Sequence, residues 1–263
     1  MGNPRRGADF PLERAKRAFR AQPPRIGQKW TQNGGNDMPD GLGFIIRTKQ
    51  DMVDAVQTVG FLPLFRNSVP GFSIEERAAP EAWFSGESGV WEWKGPVIRE
   101  TGCAYGKFFE RKAAFVSAEW FPDFANFRRD GYDFDARFDD GLASFQDKAL
   151  FELVDANAPI VSKRLKELGD YRKGGRKGFD TSMSRLQAQC YCVISDFVYL
   201  TDKRGKQYGW GVAEYSTPEK FMGNRFAEAV YQRTPEESRR RVSEYLRRLL
   251  PHATEAAIQK FMR

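Results

Sequence analysis

Residues 147–215 place a helix pattern, a second short helix, a basic glycine-rich turn, a third helix and a hairpin in succession, and few folds accept that order. Leu150, Phe151 and Val154 recur at helical spacing within 148–157, and Ala158-Pro159 stops that helix because the residue before a proline is pushed out of the helical region. After Ile160-Val161, Ser162 is the expected N-cap of a helix over 163–168, which Gly169 ends. The turn over 171–178 leads to Asp180 or Thr181 as cap of a third helix, from Ser182 to about Gln189, with Met183, Leu186 and Ala188 inward. Residues 190–200, rich in β-branched and aromatic types, predict a strand. A turn over 201–206 and a returning strand over 207–215 complete a hairpin. Three helices and a wing form a winged-helix order, with the third helix in the recognition position.

Charge follows the same segment. Residues 160–189 hold eight bases (Lys163, Arg164, Lys166, Arg172, Lys173, Arg176, Lys177, Arg185) against three acids (Glu167, Asp170, Asp180), a net of +5. Lys203, Arg204 and Lys206 add to this at the wing turn. Cations around a recognition helix and a wing tip can reach phosphates and release counterions, which gives sequence-independent and salt-sensitive affinity. Double-stranded DNA is therefore the expected partner. The expected contacts are Lys163, Arg164, Arg172, Lys173, Arg176, Lys177, Ser182, Arg185, Lys203, Arg204 and Lys206. A solvated basic face is the alternative that charge alone allows.

The overall charge of +7 is less informative, because residues 1–37 carry eight bases against three acids, so five of the seven charges lie there. The remaining 34 bases and 32 acids nearly balance, at +2. Residues 1–37 are rich in Pro, Gly, Arg and Gln and lack a signal-length apolar run; they read as a disordered basic arm or as an extension upstream of a start at Met38. Cys103, Cys190 and Cys192 fit a reducing compartment, and Cys190 and Cys192 should face opposite sides of a strand. The single histidine, His252, has no second histidine or cysteine near it, which disfavours zinc ligation and Ser-His-Asp or Cys-His catalysis. No metal or organic cofactor is called for. No apolar run reaches membrane-spanning length, so a cytoplasmic location is expected.

Earlier in the chain, Thr48 caps a helix that Gly60 ends, with Asp51 at the capping-box position and Met52, Val53, Val56 and Val59 inward. Residues 61–72 form an apolar connection, 73–84 and 90–100 can be helical, and 103–109 and 113–117 make a hairpin around 110–112. Helices followed by a hairpin repeat the later order. Trp83, Trp91, Trp93 and Trp120 offer surfaces for base stacking, although packing is the commoner use of such residues. Asp130, Asp133, Asp135, Asp139 and Asp140 lack the spacing of a calcium loop and read as turn-forming and ion-paired structure. Beyond the wing, Thr217-Pro218 and Thr234-Pro235 each read as a cap followed by proline at the first helical position, and a last helix begins near Thr254. The expected fold is therefore α+β: a disordered leader over 1–43, winged-helix-like units over 44–143 and 144–216 in tandem, and packing helices over 217–263.

Leu186-Gln-Ala-Gln189, the hairpin Tyr105-Gly-Lys-Phe-Phe109, Trp91-x-Trp93, Arg128-Arg-Asp-Gly-Tyr-Asp133 and Gly209-Trp-Gly211 together resemble the AlkZ-related proteins. These are small bacterial relatives of the winged-helix DNA glycosylases of the AlkZ and YcaQ type. The resemblance covers roughly residues 44–261. It implies tandem winged helices, action on alkylated duplex DNA without a metal, and a Gln-x-Gln motif that Gln187 and Gln189 match. A glutamine amide in such a site can position the water that attacks C1′. In the glycosylases the motif lies early in a longer chain, whereas here it ends the third helix of the second unit. Three functions follow as expectations: a repair protein acting as a metal-independent glycosylase through Gln187 and Gln189, a non-catalytic winged-helix regulator, and a protein-interaction module.

Overall fold

The computed structural model describes residues 42–84, 88–202 and 207–263. The leader through residue 41 and the wing-turn cations Lys203, Arg204 and Lys206 lie outside the described residues. Leu42 and Phe44 are already buried, so the packed region begins inside the span read as leader.

The first half runs α1 (Lys49–Val59), β1 (Phe61–Pro63), α2 (Ile74–Arg77), α3 (Pro80–Phe84), α4 (Val90–Thr101), β2 (Ala104–Phe109) and β3 (Lys112–Val116). Two helices follow, α5 (Phe121–Arg129) and α6 (Phe134–Asp139). The second half runs α7 (Phe145–Asn157), β4 (Ile160–Val161), α8 (Ser162–Leu168), α9 (Phe179–Ala188), β5 (Val193–Thr201) and β6 (Gln207–Ser216). Four more helices close the chain: α10 (Pro218–Met222), α11 (Asn224–Ala229), α12 (Pro235–Leu249) and α13 (Glu255–Phe261).

Among the described residues six strands form one antiparallel sheet of order β1-β3-β2-β5-β6-β4. In each half the single early strand pairs with the last strand of the hairpin, β1 on β3 and β4 on β6. The halves join where β2 meets β5 at Tyr105↔Ile194. The second half thus repeats the first across the local two-fold of an antiparallel strand pair. In each half helices precede a hairpin, and the last helix before each hairpin crosses the join: α4 packs on β5 and α9 packs on β2.

Several local signals hold. Thr48 and Asp51 form the capping box of α1, and Thr234 and Glu237 form that of α12 with Pro235 at the first helical position. Other boundaries differ. The helix expected over 73–84 is two short helices, because Pro80 lacks the N–H that an unbroken helix would need and Ala78 is extended. Ser162 begins α8 without capping it; Val161 is the extended residue before the helix. The third helix starts at Phe179 rather than at Ser182, after Gly178 in the left-handed conformation. Cys190 is also left-handed, with φ of 62°, and precedes β5, so the alternation expected for Cys190 and Cys192 does not apply; both are fully buried. Burial raises the Cys190 thiol to about 12, against the pull of Arg128 and Arg129.

The Phe-rich stretch after Trp120 is helical, although its composition gave no helical signal. α5 buries Phe121 and Phe124 against Phe108, and Phe61 and Phe109 pack on Phe124. Each such ring contributes about 1.5–3 kcal/mol by leaving water. The polar side of α5 ties the C-terminal helices down. Asp123, buried, accepts hydrogen bonds from Arg241 Nε at 2.9 Å, Ser238 Oγ at 3.0 Å and Arg233 Nη1 at 3.3 Å. The acidic run after α5 serves backbone turns. Asp130 is left-handed, Asp133 caps α6 by accepting from Ala136 N–H, and Asp140 ends that helix.

Candidate nucleic-acid interface

α9 forms under a short amphipathic signal and turns Phe179, Ser182, Met183, Leu186 and Gln187 inward. Its inward face meets α7 and, across the join, β2. There β2 and β5 have parted after a single paired position, and the Lys107 N–H would lack a strand partner. Gln187 supplies it: Oε1 accepts the Lys107 N–H at 3.0 Å, with the residue 1% exposed. Gly106 makes room, since a Cβ there would lie 3.3 Å from Gln187 Oε1 and 2.9 Å from the Phe108 ring. From the same strand residue, Lys107 Nζ reaches Ser184 Oγ at 3.1 Å.

This geometry bears on the residues singled out from sequence. Ser182, expected as a contact to DNA, is fully buried in this structure. Gln187, expected as a water-positioning residue, is enclosed, and its amide oxygen is engaged by the backbone of the other half. Gln189, at the C-cap of α9, is half-buried. Arg185 faces outward but gives Nε to Asp147 Oδ2 at 2.7 Å and Nη2 to Oδ1 at 3.1 Å. Asp147 is itself buried, which makes this pair an anchor between α9 and α7. Lys166 pairs with Asp180 at 3.4 Å. The outward face of α9 is consequently close to neutral.

The positive charge lies instead on α8 and the loop over 169–178. Lys163, Arg164, Arg172, Lys173, Arg176 and Lys177 line this region, most of them well exposed. Arg164 and Arg172 share Glu167, whose carboxyl they hold below the usual carboxylate range through hydrogen bonds, Arg164 first. Lys163, Lys173, Arg176 and Lys177 make no ion pair among the described residues. The loop is pinned along its length: Tyr171 N–H donates to Lys166 O at 2.8 Å, Arg176 N–H to Asp170 O at 2.6 Å, and Gln146 Nε2 to Lys177 O at 2.5 Å. Glycine is required at position 175, where a Cβ would fall 2.2 Å from Asp170 O. Cations held on a pinned loop lose less conformational freedom when they bind an anion than cations on a loose tail.

On the first half, the tryptophans mostly pack. Trp93 is buried, Trp120 lies 4.2 Å from Tyr245 between ring centroids, and Trp83, Trp91 and Phe65 contact one another. Trp210 on β6 is 74% exposed and meets Trp91 edge-on. Between the halves, Lys94 Nζ lies 4.6 Å from the Trp91 ring centroid and 4.3 Å from that of Phe197. Burial lowers Lys94 from 10.5 to about 8, with Glu92 pulling the other way. The folded value lies below the unfolded one, so the unfolded chain binds the proton more strongly and this contribution to stability grows as pH rises from about 8 to 10.5. Chemical denaturation of the wild type and Lys94→Met at pH 7.5 and 9.5 should show the wild type gaining on the variant at the higher pH. A pH-independent difference would contradict a desolvated ammonium.

Two halves of helices and a hairpin sharing one antiparallel sheet, with a pinned cationic loop beside the third helix of the second half, define an α+β architecture. The AlkZ-related family matches residues 46–263, and the chain belongs to that family. The membership places the protein in a DNA-repair, glycosylase-like context. No curated protein and no solved structure matches the chain. Among the described residues no group of three or more acids, histidines or cysteines is arranged to hold a metal ion, and no helix is long and apolar enough to cross a membrane.

Proposed function

We propose that this AlkZ-related protein binds double-stranded DNA through the backbone phosphates, using Lys163, Lys173, Arg176 and Lys177 with Arg164 and Arg172 beside them. The observation that carries this reading is the pinned loop over 169–178, which holds cations without ion-pair partners among the described residues, in a chain whose family is related to DNA repair. The neutral outward face of α9 argues for phosphate contacts over base-edge readout, so binding should depend steeply on salt and weakly on sequence. The reading also takes residues 44–143 and 144–216 as two units acting as one body through the β2–β5 join.

Fluorescence anisotropy of the full chain on one duplex, unmodified and N7-alkylated, at low and moderate salt tests this. Replacing Lys173, Arg176 and Lys177 together by Ala should flatten the log–log salt slope by about 0.9 for each phosphate that the variant no longer neutralises, roughly 3 in all. An unchanged slope would move the interface elsewhere, and no binding by the wild type at low salt would leave a protein-interaction module. Preference for the alkylated duplex supports a repair role, and equal affinity supports a regulator. With Gln187 enclosed, a glycosylase step would rest on Gln189, so loss of base release in Gln189→Ala, with binding intact, is the measurement that would establish it.

A further inference from the structure

Phe145, the first residue of α7, is 82% exposed, and Leu142 in the turn before it is 50% exposed. The Phe145 ring meets that of Phe138 edge to face with centroids 5.1 Å apart, so the apolar surface continues from α7 onto α6. Single apolar side chains in water are common, but a contiguous apolar patch marks a contact surface. The neighbours of Phe145 hold it there. Ser144 Oγ caps α7 by accepting the Asp147 N–H at 3.1 Å, and Leu142 N–H donates to Arg137 O at 3.0 Å. Asp147 is the buried partner of Arg185 on α9, and Gln146 gives Nε2 to Lys177 O. Gly178 leaves room for that amide, since a Cβ there would fall 2.6 Å from Gln146 Nε2. The residue next to Phe145 is thus bonded to the loop that carries Arg176 and Lys177, and an exposed ring stands at the edge of the cationic surface.

We propose that Phe145 is a wedge that enters a base step of the duplex whose phosphates the loop over 169–178 holds, with Leu142 against the edge of the opened step. The inference rests on the phosphate reading above. Duplex DNA offers anionic phosphates and apolar base faces close together, which matches a ring and cations fixed to one another through Gln146. A second copy of this chain would cover the apolar patch but bring like-charged loops together. Asp139 and Asp140, exposed at the end of α6, repel phosphates, so the duplex lies over the loop side of the ring. A ring at a capped and anchored helix start loses little freedom on insertion.

The full chain is titrated into a short duplex carrying 2-aminopurine beside a mismatch, where unstacking costs least; base fluorescence reads the wedge, and anisotropy reads binding separately. The wild type should raise the 2-aminopurine fluorescence at saturation. Phe145→Ala, at an exposed position, should keep the wild-type Tm and salt slope, bind about tenfold more weakly and lose most of that rise. Phe145→Trp, which keeps a ring, should restore it. Replacing Lys173, Arg176 and Lys177 together by Ala should weaken binding yet leave the rise at saturating protein. Salt-sensitive binding without a rise, or an equal rise in Phe145→Ala, would overturn the wedge and leave the phosphate reading standing. Absence of wild-type binding removes both readings, and a dimer that Phe145→Ala makes monomeric would assign the patch to a second copy instead.

Discussion

Arg129→Ala should lower the stability of the protein by about 2–4 kcal/mol, because it empties a fully buried side-chain site and removes the donor to the Cys190 carbonyl. Arg129 is 1% exposed at the end of α5. Its Nη1 donates to Glu219 at 2.7 Å and to the Tyr231 hydroxyl at 3.0 Å, and its Nη2 donates to Cys190 O at 2.9 Å. The guanidinium also lies 4.8 Å from the Tyr191 ring centroid and 5.3 Å from that of Phe226. Burial opposes the charge, but Glu219 and Tyr231 outweigh it and keep the group ionised. One side chain thus joins α5, the turn before β5, α10 and the segment after α11. Lysine cannot span these partners from a single ammonium, so Arg129→Lys should also be strongly destabilising. Urea denaturation followed by tryptophan fluorescence measures the loss; a change below about 1 kcal/mol in Arg129→Ala would show that the network contributes little.

Gln187→Ala should cost about 1–3 kcal/mol, because it empties a fully buried side-chain site and removes the acceptor of the Lys107 N–H at the join. Gln189→Ala should change stability by less than about 0.5 kcal/mol, since that amide is half-exposed at a helix end. The pair therefore separates two roles for the Gln-x-Gln pattern. A structural Gln187 predicts that loss of stability accompanies any loss of DNA binding or base release in its alanine variant. A Gln187→Ala protein as stable as the wild type but without base release would instead support a catalytic amide. Gln187→Glu offers a second measure: it keeps an acceptor for Lys107 and should recover part of the stability only if its buried carboxylate is tolerated.

Contiguous residues decided much of the local structure. The Thr48 and Thr234 capping boxes, the stop at Gly60 and the β-branched run after Cys192 each act within a few residues, which is why they are legible in the sequence. The helix–helix–hairpin order of each half was readable for the same reason, as was the cluster of cations over 160–189. The two short strands β1 and β4 were not, because three- and two-residue strands carry no alternation to detect and exist only through their hairpin partners. The helix α5 was obscured by its aromatic content, which suits strand and helix alike until its packing is known.

The candidate site shows the same division. Sequence determined which cations are available and that they gather around the third helix of the second half. Tertiary structure decided which of them are free: it paired Arg185 with Asp147, 38 residues away, and shared Glu167 between Arg164 and Arg172. It also turned Gln187 onto Lys107, 80 residues away, and buried Ser182. The chain by itself specified two helical units with hairpins and a basic segment, because those properties depend on neighbouring residues. The single shared sheet and the crossing of the helix before each hairpin were settled only where distant strands and helices met, since a backbone donor beside a broken strand pairing takes the best acceptor that folding brings to it.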